Sequence, residues 1–408
     1  MSTLRVNTLQ NTSTTDGGIS INNSGHVTVD GVTMPSAGPL SNRNLIINGS
    51  CQVAQRGAGP ITFVDNTTDG EGILCVDRFE QRAQSGLAGA YTVSQSTDGP
   101  DGFGNSYNVN CTTAGTPTGS NIFYIRYYVE AQDIINSGWD HTDSNSELTF
   151  SFYVKADHTA TYCVAINVPD TSTNSFVKEY TIAAADTWQR VSFQIPGNSG
   201  LTINNDNGAG LQIRWMLLGG SGLSTATDGV WNTSSNPWIT SNQDNFAATV
   251  NNDIWITGVQ LEVGSVATTF EHKTYAEELR GCQRYFQGYD ARNATNRAAI
   301  AYDNYDTDTS SNLPTTTLIG VGTIHDGDDA RIVGTFSVPM RARPTITVSD
   351  IRIMSGGTLH NSTTIIDSNQ STIYAFSLLV DNASSMTAAQ AAHLIIKGNG
   401  YVYFSAEL

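Results

Sequence analysis

The chain has 408 residues, of which 14% are charged, and its 37 acidic against 20 basic side chains give a formal net charge of −17. This length indicates two or three domains. An acidic chain without a run of Lys and Arg argues against nucleic acid or an anionic membrane as a partner, because phosphate groups bind to clustered cations.

No apolar run approaches the about 20 residues that cross a bilayer. The N-terminus shows no basic-plus-apolar leader, so we expect synthesis in a cytoplasm and release by a route other than secretion.

Residues 1–40 form a first region of short polar and β-branched pieces, such as Ile19–Ile21 and Val27–Val29, separated by glycines. Strands this short cannot bury a core alone. The segment is therefore expected either to be a disordered tail or to pair with copies of itself or with a docking partner. Pro35 and Pro39 then predict a hinge, since proline opposes both a helix and a central strand.

Residues 41–272 repeat an alternation of apolar and polar residues with period two, which is the pattern of half-buried strands. Clear examples are residues 148–154, 162–168, 188–195 and 211–215. Many short strands with one apolar face predict an antiparallel β-sandwich or a barrel. Pairing of the first and last strands would bring Ile46 near Val259. In the last strand, strict alternation assigns one face to Trp255, Thr257, Val259 and Leu261, and the other to Ile254, Ile256, Gln260 and Glu262.

A short linking helix is predicted within residues 273–288. Thr274 and Glu277 match the S/T-x-x-E capping box, and an apolar helical face follows at Tyr275, Leu279, Cys282 and Phe286. Residues 289–408 are predicted to form a second β domain, with strands at 316–321, 330–338, 345–354, 374–379 and 401–406. Within it, Thr387-Ala-Ala-Gln390 predicts the start of a short Ala-rich helix that ends near Gly398.

The sequence contains no specific catalytic or metal-binding motif, so we predict no catalytic residue, no metal and no cofactor. The acidic stretches 303–308 and 326–329 lack the sixth-position glycine and the bidentate glutamate of a calcium loop, so solvated loops are the preferred interpretation. Paired carboxylates for glycoside cleavage remain an alternative, with Glu130, Glu147, Glu179 and Glu262 as candidates. The odd number of cysteines, five without a C-x-x-C pair, predicts buried free thiols.

Aromatic residues provide the better functional hypothesis. Residues 122–130 separate an apolar face from a second face that mixes aromatic and polar groups: Tyr124, Arg126, Tyr128 and Glu130. Sugars stack their flat C–H faces on aromatic rings, and planar polar side chains fix their hydroxyls, so this face is predicted to bind a glycan. Loop tryptophans extend the candidate site to Trp139, Trp231 and Trp238. The alternative is that these tryptophans close the ends of the sandwich or fill a subunit interface.

Two stretches carry a family resemblance: residues 44–57 together with Asp77-Arg-Phe79, and residues 258–286. They resemble the jelly-roll module of bacteriophage tail-fibre proteins, which is similar in fold to carbohydrate-binding modules. The resemblance covers residues 41–290 and implies a homotrimer on the virion, docked to a phage tail or adaptor protein through residues 1–40. One departure is that Gln52 stands where carbohydrate-binding modules often have a glutamate that helps to hold a structural calcium, so calcium is not expected there.

The function expected from these observations is that of an all-β, jelly-roll, homotrimeric tail fibre that recognises a host surface glycan without catalysis. It would be a virion protein made in the host cytoplasm, with no nucleic-acid partner and no membrane insertion. The first alternative is a structural role in capsid decoration, a head fibre or a tail connector. The second is a tailspike that depolymerises glycan.

Overall fold

The computed structural model describes residues 8–9, 18–22, 25–29, 32–35, 41–63, 71–73, 75–84, 86, 88–171, 175–223, 226–233, 237–290, 316–325, 327–356, 358–367, 370–382 and 386–408. The chain divides into two compact units near Tyr275, and the short segment Gln55–Gly57 belongs to the second unit. The acidic stretch 303–308, Asp326 and most of the expected hinge lie outside the described residues. The fold is all-β with antiparallel sheets, as the sequence predicts.

The N-terminal strands pair in chain order as an antiparallel meander. They are β1 (Thr8–Leu9), β2 (Ile19–Ile21), β3 (Val27–Val29) and β4 (Val32–Thr33). Their apolar side chains stay in solvent, with Leu9 54% and Val32 51% exposed. A meander of two- and three-residue strands buries too little surface to be stable by itself, so it needs support from other chain segments or other chains.

Residues 41–272 form a β-sandwich. Its elements are β5 (Ile61–Phe63), β6 (Glu71–Gly72), β7 (Glu80–Gln84), β8 (Ala90–Ser96), β9 (Ser106–Thr113), β10 (Ile122–Glu130), α1 (Ala131–Ile135), β11 (Glu147–Ala156), β12 (Ala160–Asn167), β13 (Ser175–Ile182), β14 (Gln189–Pro196), β15 (Ala209–Gly219), β16 (Val230–Asn232) and β17 (Asp253–Val263). Sheet A has the order β16-β13-β12-β15-β10-β7-β6, and sheet B has the order β14-β11-β17-β9-β8-β5.

The core lies between these two sheets and is rich in aromatic rings. Trp215 of sheet A is fully buried and contacts Phe150 and Phe152 of sheet B, at ring-centroid distances of 5.6 and 5.8 Å. Phe79, which directly precedes β7 of sheet A, stacks on Tyr107 of sheet B with their ring centroids 6.0 Å apart. Each large ring removes on the order of 150–250 Å² of surface from water, which makes these contacts a main source of the sandwich's stability.

The last strand, β17, departs from strict alternation at Gly258. Gly258 has φ +59°, and the pairing of β17 with β11 shifts register across this position. Ile254 and Ile256 therefore face the core before the bulge, and Val259 and Leu261 face it after the bulge. The predicted common face of Trp255, Thr257, Val259 and Leu261 is wrong for this reason, since a β-bulge inserts one residue and reverses the sides.

Residues 44–49 lie beside β17, so the expected neighbourhood of Ile46 and Val259 is confirmed, although residues 44–49 do not form the predicted first strand. Leu45 donates its backbone N–H to the Leu261 carbonyl at 2.9 Å, and Val259 donates to the Gly49 carbonyl at 2.9 Å. The backbones approach so closely that a Cβ atom at Gly49 would lie 2.1 Å from the Val259 carbonyl oxygen. Glycine is therefore required at this position of the Asn-Leu-Ile-Ile-Asn-Gly stretch.

A cluster of polar side chains, which we call the closing cluster, fixes this junction. It consists of Arg43, Asn44, Gln260, Glu262, Thr268 and Glu271. Glu262 is 1% exposed, and its carboxylate accepts hydrogen bonds from the Thr268 backbone (2.9 Å), the Thr268 hydroxyl (2.7 Å) and Gln260 (2.8 Å). Arg43 lies 3.5 Å from Glu262 and 4.0 Å from Glu271. The two stretches that carry the family resemblance thus hold each other in place.

The second unit begins with α2 (Tyr275–Gln283), the helix that the capping box predicts. The helix ends earlier than the predicted apolar face, because Phe286 already belongs to a strand. The strands are β18 (Phe286–Asp290), β19 (Thr316–Ile324), β20 (Asp329–Thr335), β21 (Thr345–Ser355), β22 (Thr358–Asp367), β23 (Ala375–Asn382) and β24 (Ala391–Ser405). They form one antiparallel sheet in the order β18-β24-β19-β20-β23-β22-β21, and β24 also pairs with β21.

The short helix predicted from Thr387 to near Gly398 is wrong. These residues enter β24, whose neighbours are β18, β19 and β21. Leu394 and Ile396 are buried in the core of this sheet, while His393 lies on the other side. Pairing on both edges and burial of alternate residues outweigh the helix propensity of the alanines. Strand β22 was not predicted at all.

All five cysteines, Cys51, Cys75, Cys111, Cys163 and Cys282, are buried free thiols, as the sequence predicts. Among the described residues, no helix is long and apolar enough to cross a bilayer.

Candidate functional site

The outer side of sheet A carries the face that the sequence singles out. In β10 the core receives Phe123, Ile125, Tyr127 and Val129. The opposite side carries Tyr124, Arg126 and Tyr128, so the predicted separation of the two faces is confirmed for these residues. Glu130 leaves the series, because the pairing of β10 with β15 shifts register between Val129 and Glu130.

Neighbouring strands complete a polar surface, which we call the recessed face: Tyr124, Arg126, Tyr128, Asn167, Gln212 and Arg214. The strand register aligns Arg126 with Arg214 and Tyr128 with Gln212 across β10 and β15. It also aligns Gln212 with Asn167 across β15 and β12. Side chains directly opposite one another in an antiparallel pair have Cβ atoms about 4.5–5.5 Å apart, so these residues form one continuous patch.

Hydrogen bonds link the members of the recessed face. Gln212 donates its amide N–H to the Tyr128 hydroxyl at 3.1 Å and accepts a hydrogen bond from Arg214 through its amide oxygen. Arg214 also donates to the amide oxygen of Asn167. Arg126 makes a two-pronged contact with the Glu80 carboxylate, at 2.7 and 2.6 Å. These contacts hold the planar polar groups in defined orientations, which is what recognition of sugar hydroxyls requires.

Aromatic rings lie against both guanidinium groups. The Arg126 guanidinium lies 4.7 Å from the Tyr128 ring centroid. The Arg214 guanidinium lies 4.3 Å from the Trp238 ring and 5.4 Å from the Tyr124 ring. The two rings thus contribute cation–π contacts to the arginine between them.

Accessibility decides which of these groups a ligand would meet first. Arg126, Gln212 and Arg214 are only 6–7% exposed and lie at the floor of the face. Tyr124 is 1% exposed and packs in an apolar cluster, so it belongs to this floor and not to the accessible surface. Tyr128, Asn167 and Trp238 are half-buried and form its accessible part. Burial raises the pKa of the Tyr128 hydroxyl, so this group keeps its proton at neutral pH and can both donate and accept. The arrangement offers aromatic surface beside fixed polar groups.

Three of the seven candidate residues lie elsewhere. Trp139 is 4% exposed and donates its indole N–H to the Ser146 carbonyl at 3.1 Å. Trp231 is half-buried, donates its indole N–H to the Pro196 carbonyl at 2.8 Å and packs against the sandwich core. Glu130 is fully buried at the end of β10 and accepts a hydrogen bond from Gln132 at 2.6 Å. We therefore leave these three residues out of the candidate site, because their contacts belong to the sandwich itself.

Sequence reasoning missed Gln212, Arg214, Asn167 and Glu80. The signal for the first two was present, since residues 211–215 alternate Leu, Ile and Trp toward the core with Gln and Arg on the other side. The same argument that selected Tyr124, Arg126 and Tyr128 would have selected them. Asn167 and Glu80 give no comparable signal, because each lies at the end of a strand.

A cleft of about 350 Å³ lies beside the closing cluster. It is lined by Asn42, Arg43, Asn44, Leu45, Ile47, Asp133, Asn136, Ser137, Val263 and Lys273. The Asn44 amide oxygen already accepts from Ile46 and Leu261, and its amide N–H donates to Val259. Because Asn44 is engaged in holding the strands and the cleft has no aromatic side chain in its lining, it is a weaker candidate than the recessed face.

Metal binding finds no support within the described ranges, where no three His, Cys, Asp or Glu side chains come together as a metal site. Two of the carboxylates considered for glycoside cleavage have structural hydrogen bonds: Glu262 within the closing cluster, and Glu179 with Thr240 and Asn242.

Comparisons with known proteins give no family model and no curated protein that matches this chain. Among solved structures, it is similar to the enzymatically active domain of tailspike protein 4 of bacteriophage CBA120, with 13% identity, 54% of this chain, 21% of that chain and a TM-score of 0.30. A putative sugar-binding protein from Bacteroides thetaiotaomicron shares 13% identity over 54% of this chain and 99% of its own, with a TM-score of 0.28. A family 11 carbohydrate-binding module from Clostridium thermocellum shares 12% identity over 51% of this chain and 100% of its own, with a TM-score of 0.25. The fold described above rests on the strand pairing of this chain alone.

Proposed function

We propose that this chain is a glycan-binding protein and that the recessed face is its binding site. The observation that carries the proposal is the half-buried Tyr128 and Trp238 rings beside a floor of fixed planar groups, Arg126, Gln212 and Arg214. A sugar ring would stack on an aromatic surface and exchange hydrogen bonds with the amide and guanidinium groups.

We propose binding without cleavage. Glycoside hydrolysis uses two carboxyl groups on either side of the scissile bond, about 5–10 Å apart. Glu80 of β7, a carboxylate beside the recessed face, is held by both prongs of Arg126. A carboxylate in a tight ion pair is a poor proton donor, because the neighbouring cation favours its charged form.

The biological setting that we propose is a phage tail fibre on the virion. Two features support it: the resemblance of residues 41–290 to tail-fibre jelly rolls, and the exposed apolar side chains of the N-terminal meander, including Ile19 and Ile21 at 40% each. A meander that cannot bury its own apolar residues is suited to pairing with copies of itself or with a tail protein. Three copies per fibre would strengthen weak single-site binding through avidity.

The binding proposal is tested with two substitutions at one position. Tyr128→Ala removes the ring and is expected to weaken glycan binding about 10-fold, whereas Tyr128→Phe retains the ring and should lose less. Binding is measured by glycan array and by calorimetry on the glycans that the array identifies. Tyr374→Ala is the matched control, because Tyr374 is 63% exposed in the second unit. Equal binding by wild type and Tyr128→Ala would reject the recessed face as the site.

The tail-fibre proposal is tested separately on intact virions. Gold-conjugated antibodies against the chain are expected to label the tail appendages in electron micrographs. Gold over the capsid shell would instead indicate a decoration protein, and release of reducing ends from a bound polysaccharide would indicate a depolymerase.

A further inference from the structure

Arg214 carries a charge that its surroundings do not balance. Arg214 is 7% exposed, and its contacts in the structure are with neutral groups: the amide oxygens of Asn167 and Gln212, the Tyr124 hydroxyl, and the rings of Tyr124 and Trp238. Within the described part of the chain, no carboxylate forms an ion pair with it, and its Nε–H has no hydrogen-bond partner. A buried cation without a counter-ion is costly, because it loses water and gains no opposite charge.

The charge closest to Arg214 across the sheet is a second cation. The strand register places Arg126 directly opposite Arg214. Like charges in directly opposed positions destabilise an antiparallel pair. On its other side, Arg126 lies directly opposite Glu80 of β7. Both oxygens of the Glu80 carboxylate accept hydrogen bonds from Arg126. The row of three therefore has an excess of one positive charge.

Two further carboxylates on sheet A, Glu179 and Asp228, have their own partners. Glu179 accepts hydrogen bonds from the Thr240 hydroxyl and the Asn242 amide. Asp228 is paired with Lys178 at 2.6 Å and also accepts from the Glu179 backbone. Neither is available to neutralise Arg214 without giving up contacts that hold the covering loops.

We propose that the recessed face binds an acidic glycan, with the carboxylate of a uronic or nonulosonic acid residue seated against Arg214. This inference rests on the proposed glycan-binding function and specifies its ligand class. The planar guanidinium matches a carboxylate in a two-pronged hydrogen bond, and the anion would take the place of the Gln212 or Asn167 amide oxygen. The half-buried Tyr128 and Trp238 would hold the sugar ring beside it.

The charge of the whole chain makes this inference specific. A protein with a formal net charge of −17 repels polyanions at long range. A preference for an acidic glycan over a neutral one would therefore have to arise at a local cationic site, and the recessed face is such a site.

The test compares acidic polysaccharides with neutral forms of the same backbone. The probes are oligosaccharides of polygalacturonate, alginate and polysialic acid, each with its carboxyl-reduced counterpart, measured by calorimetry with the full chain. At least one acidic probe is expected to bind at least about 10-fold more tightly than its reduced form. This is the gain in affinity that one charge-assisted hydrogen bond gives. Raising the salt concentration should weaken the acidic complex and leave any neutral complex unchanged.

Substitution at Arg214 then assigns the preference to this residue. Arg214→Met is expected to lower affinity for the acidic probe about 10- to 100-fold and to leave affinity for the reduced probe unchanged. Arg214→Lys keeps the charge but loses the two-pronged geometry. Its affinity for the acidic probe should therefore lie between those of wild type and Arg214→Met. Arg331→Met is the control, because it removes one positive charge from an exposed residue of the second unit. Thermal unfolding of each variant shows whether it is folded.

The outcomes separate this inference from the function on which it rests. Equal binding of acidic and carboxyl-reduced probes would overturn the acidic ligand and leave glycan binding standing. A preference that survives in Arg214→Met would overturn the role of this residue. Failure to bind any neutral or acidic glycan on a broad array would overturn the proposed function together with the inference. A sulfated form of each carboxyl-reduced probe is measured as well, and tighter binding of it than of the carboxylated form would overturn the assignment to a carboxylate.

Discussion

Two arginines on opposite sides of the sandwich, the half-buried Arg43 and the buried Arg214, are compensated differently. Arg43 in the closing cluster lies near two carboxylates, Glu262 and Glu271, and donates to Thr268 at 2.8 Å. Arg214 in the recessed face contacts two amide oxygens and two aromatic rings, and a second arginine, Arg126, lies directly opposite. The same residue type is thus surrounded by opposite charge in one sheet and by neutral groups and a like charge in the other.

This difference indicates what each site is for. Removing one partner of a buried, paired charge leaves the other partner uncompensated, so the members of a balanced cluster depend on one another. An unbalanced charge costs stability, and proteins retain such costs mainly at functional sites. We therefore interpret the closing cluster as structural and propose the recessed face as the ligand-binding site, although both are polar networks on the outer sides of their sheets.

The largest expected effect is at the balanced arginine. Arg43→Met leaves Glu262, which is 1% exposed, without its cation, and is expected to lower the free energy of unfolding by about 3–5 kcal/mol. The measurement is urea denaturation at neutral pH. The same substitution at the exposed Arg331 should change stability by less than about 0.5 kcal/mol. A loss at Arg43 no larger than that of the control would contradict the structural role of the closing cluster.

The sequence predicts this junction well, because its information is local in two short stretches. The expected neighbourhood of Ile46 and Val259 is confirmed by backbone hydrogen bonds on both sides of them. The predicted faces of β17 do not continue past Gly258. The positive φ of Gly258 reverses the alternation there, and the periodicity of a sequence does not reveal a bulge. Residues 391–405 fail for a different reason: local helix propensity competes there with pairing to distant strands, which only the tertiary structure supplies.

A second expected effect is a pH dependence of stability that comes from Cys163. This residue lies on the outer side of sheet A and packs in the same apolar cluster as Tyr124. Burial raises the pKa of the Cys163 thiol from 9.0 to about 11. The unfolded chain therefore loses this proton at lower pH than the folded chain does. The stability associated with the protonated thiol is fully present below pH 9 and is lost as pH rises toward 11, by up to about 2 kcal/mol.

Comparison of wild type with Cys163→Ala isolates this group from the buried tyrosines, which titrate in both proteins. The difference in free energy of unfolding between the two is expected to shrink by up to about 2 kcal/mol between pH 8 and pH 11. Denaturation series at intermediate pH values measure it. Parallel curves for the two proteins over this range would contradict the burial of the thiol in a dry environment.

The candidate site was only partly predictable, because it is assembled from separate strands. Alternation in β10 selects Tyr124, Arg126 and Tyr128, and all three lie on the outer side of sheet A. Arg214 lies more than 80 residues further along the chain, and only the register of β15 against β10 shows that it faces Arg126. The charge imbalance that characterises the site is a property of this pairing, so no single stretch of sequence contains it.

The smallest expected effect sharpens the comparison most. Arg214→Met loses the hydrogen bonds to the amides and the contacts with the rings, which lowers the free energy of unfolding. It also removes a buried charge that has no carboxylate partner and relieves the repulsion from Arg126, and these gains offset the loss. We expect the free energy of unfolding to change by less than about 1 kcal/mol, against the several kcal/mol expected for Arg43→Met. The two variants are compared in parallel urea denaturation experiments. If Arg214→Met were as destabilising as Arg43→Met, the arginine would be a structural element of sheet A, and its place in a ligand site would lose its main physical argument.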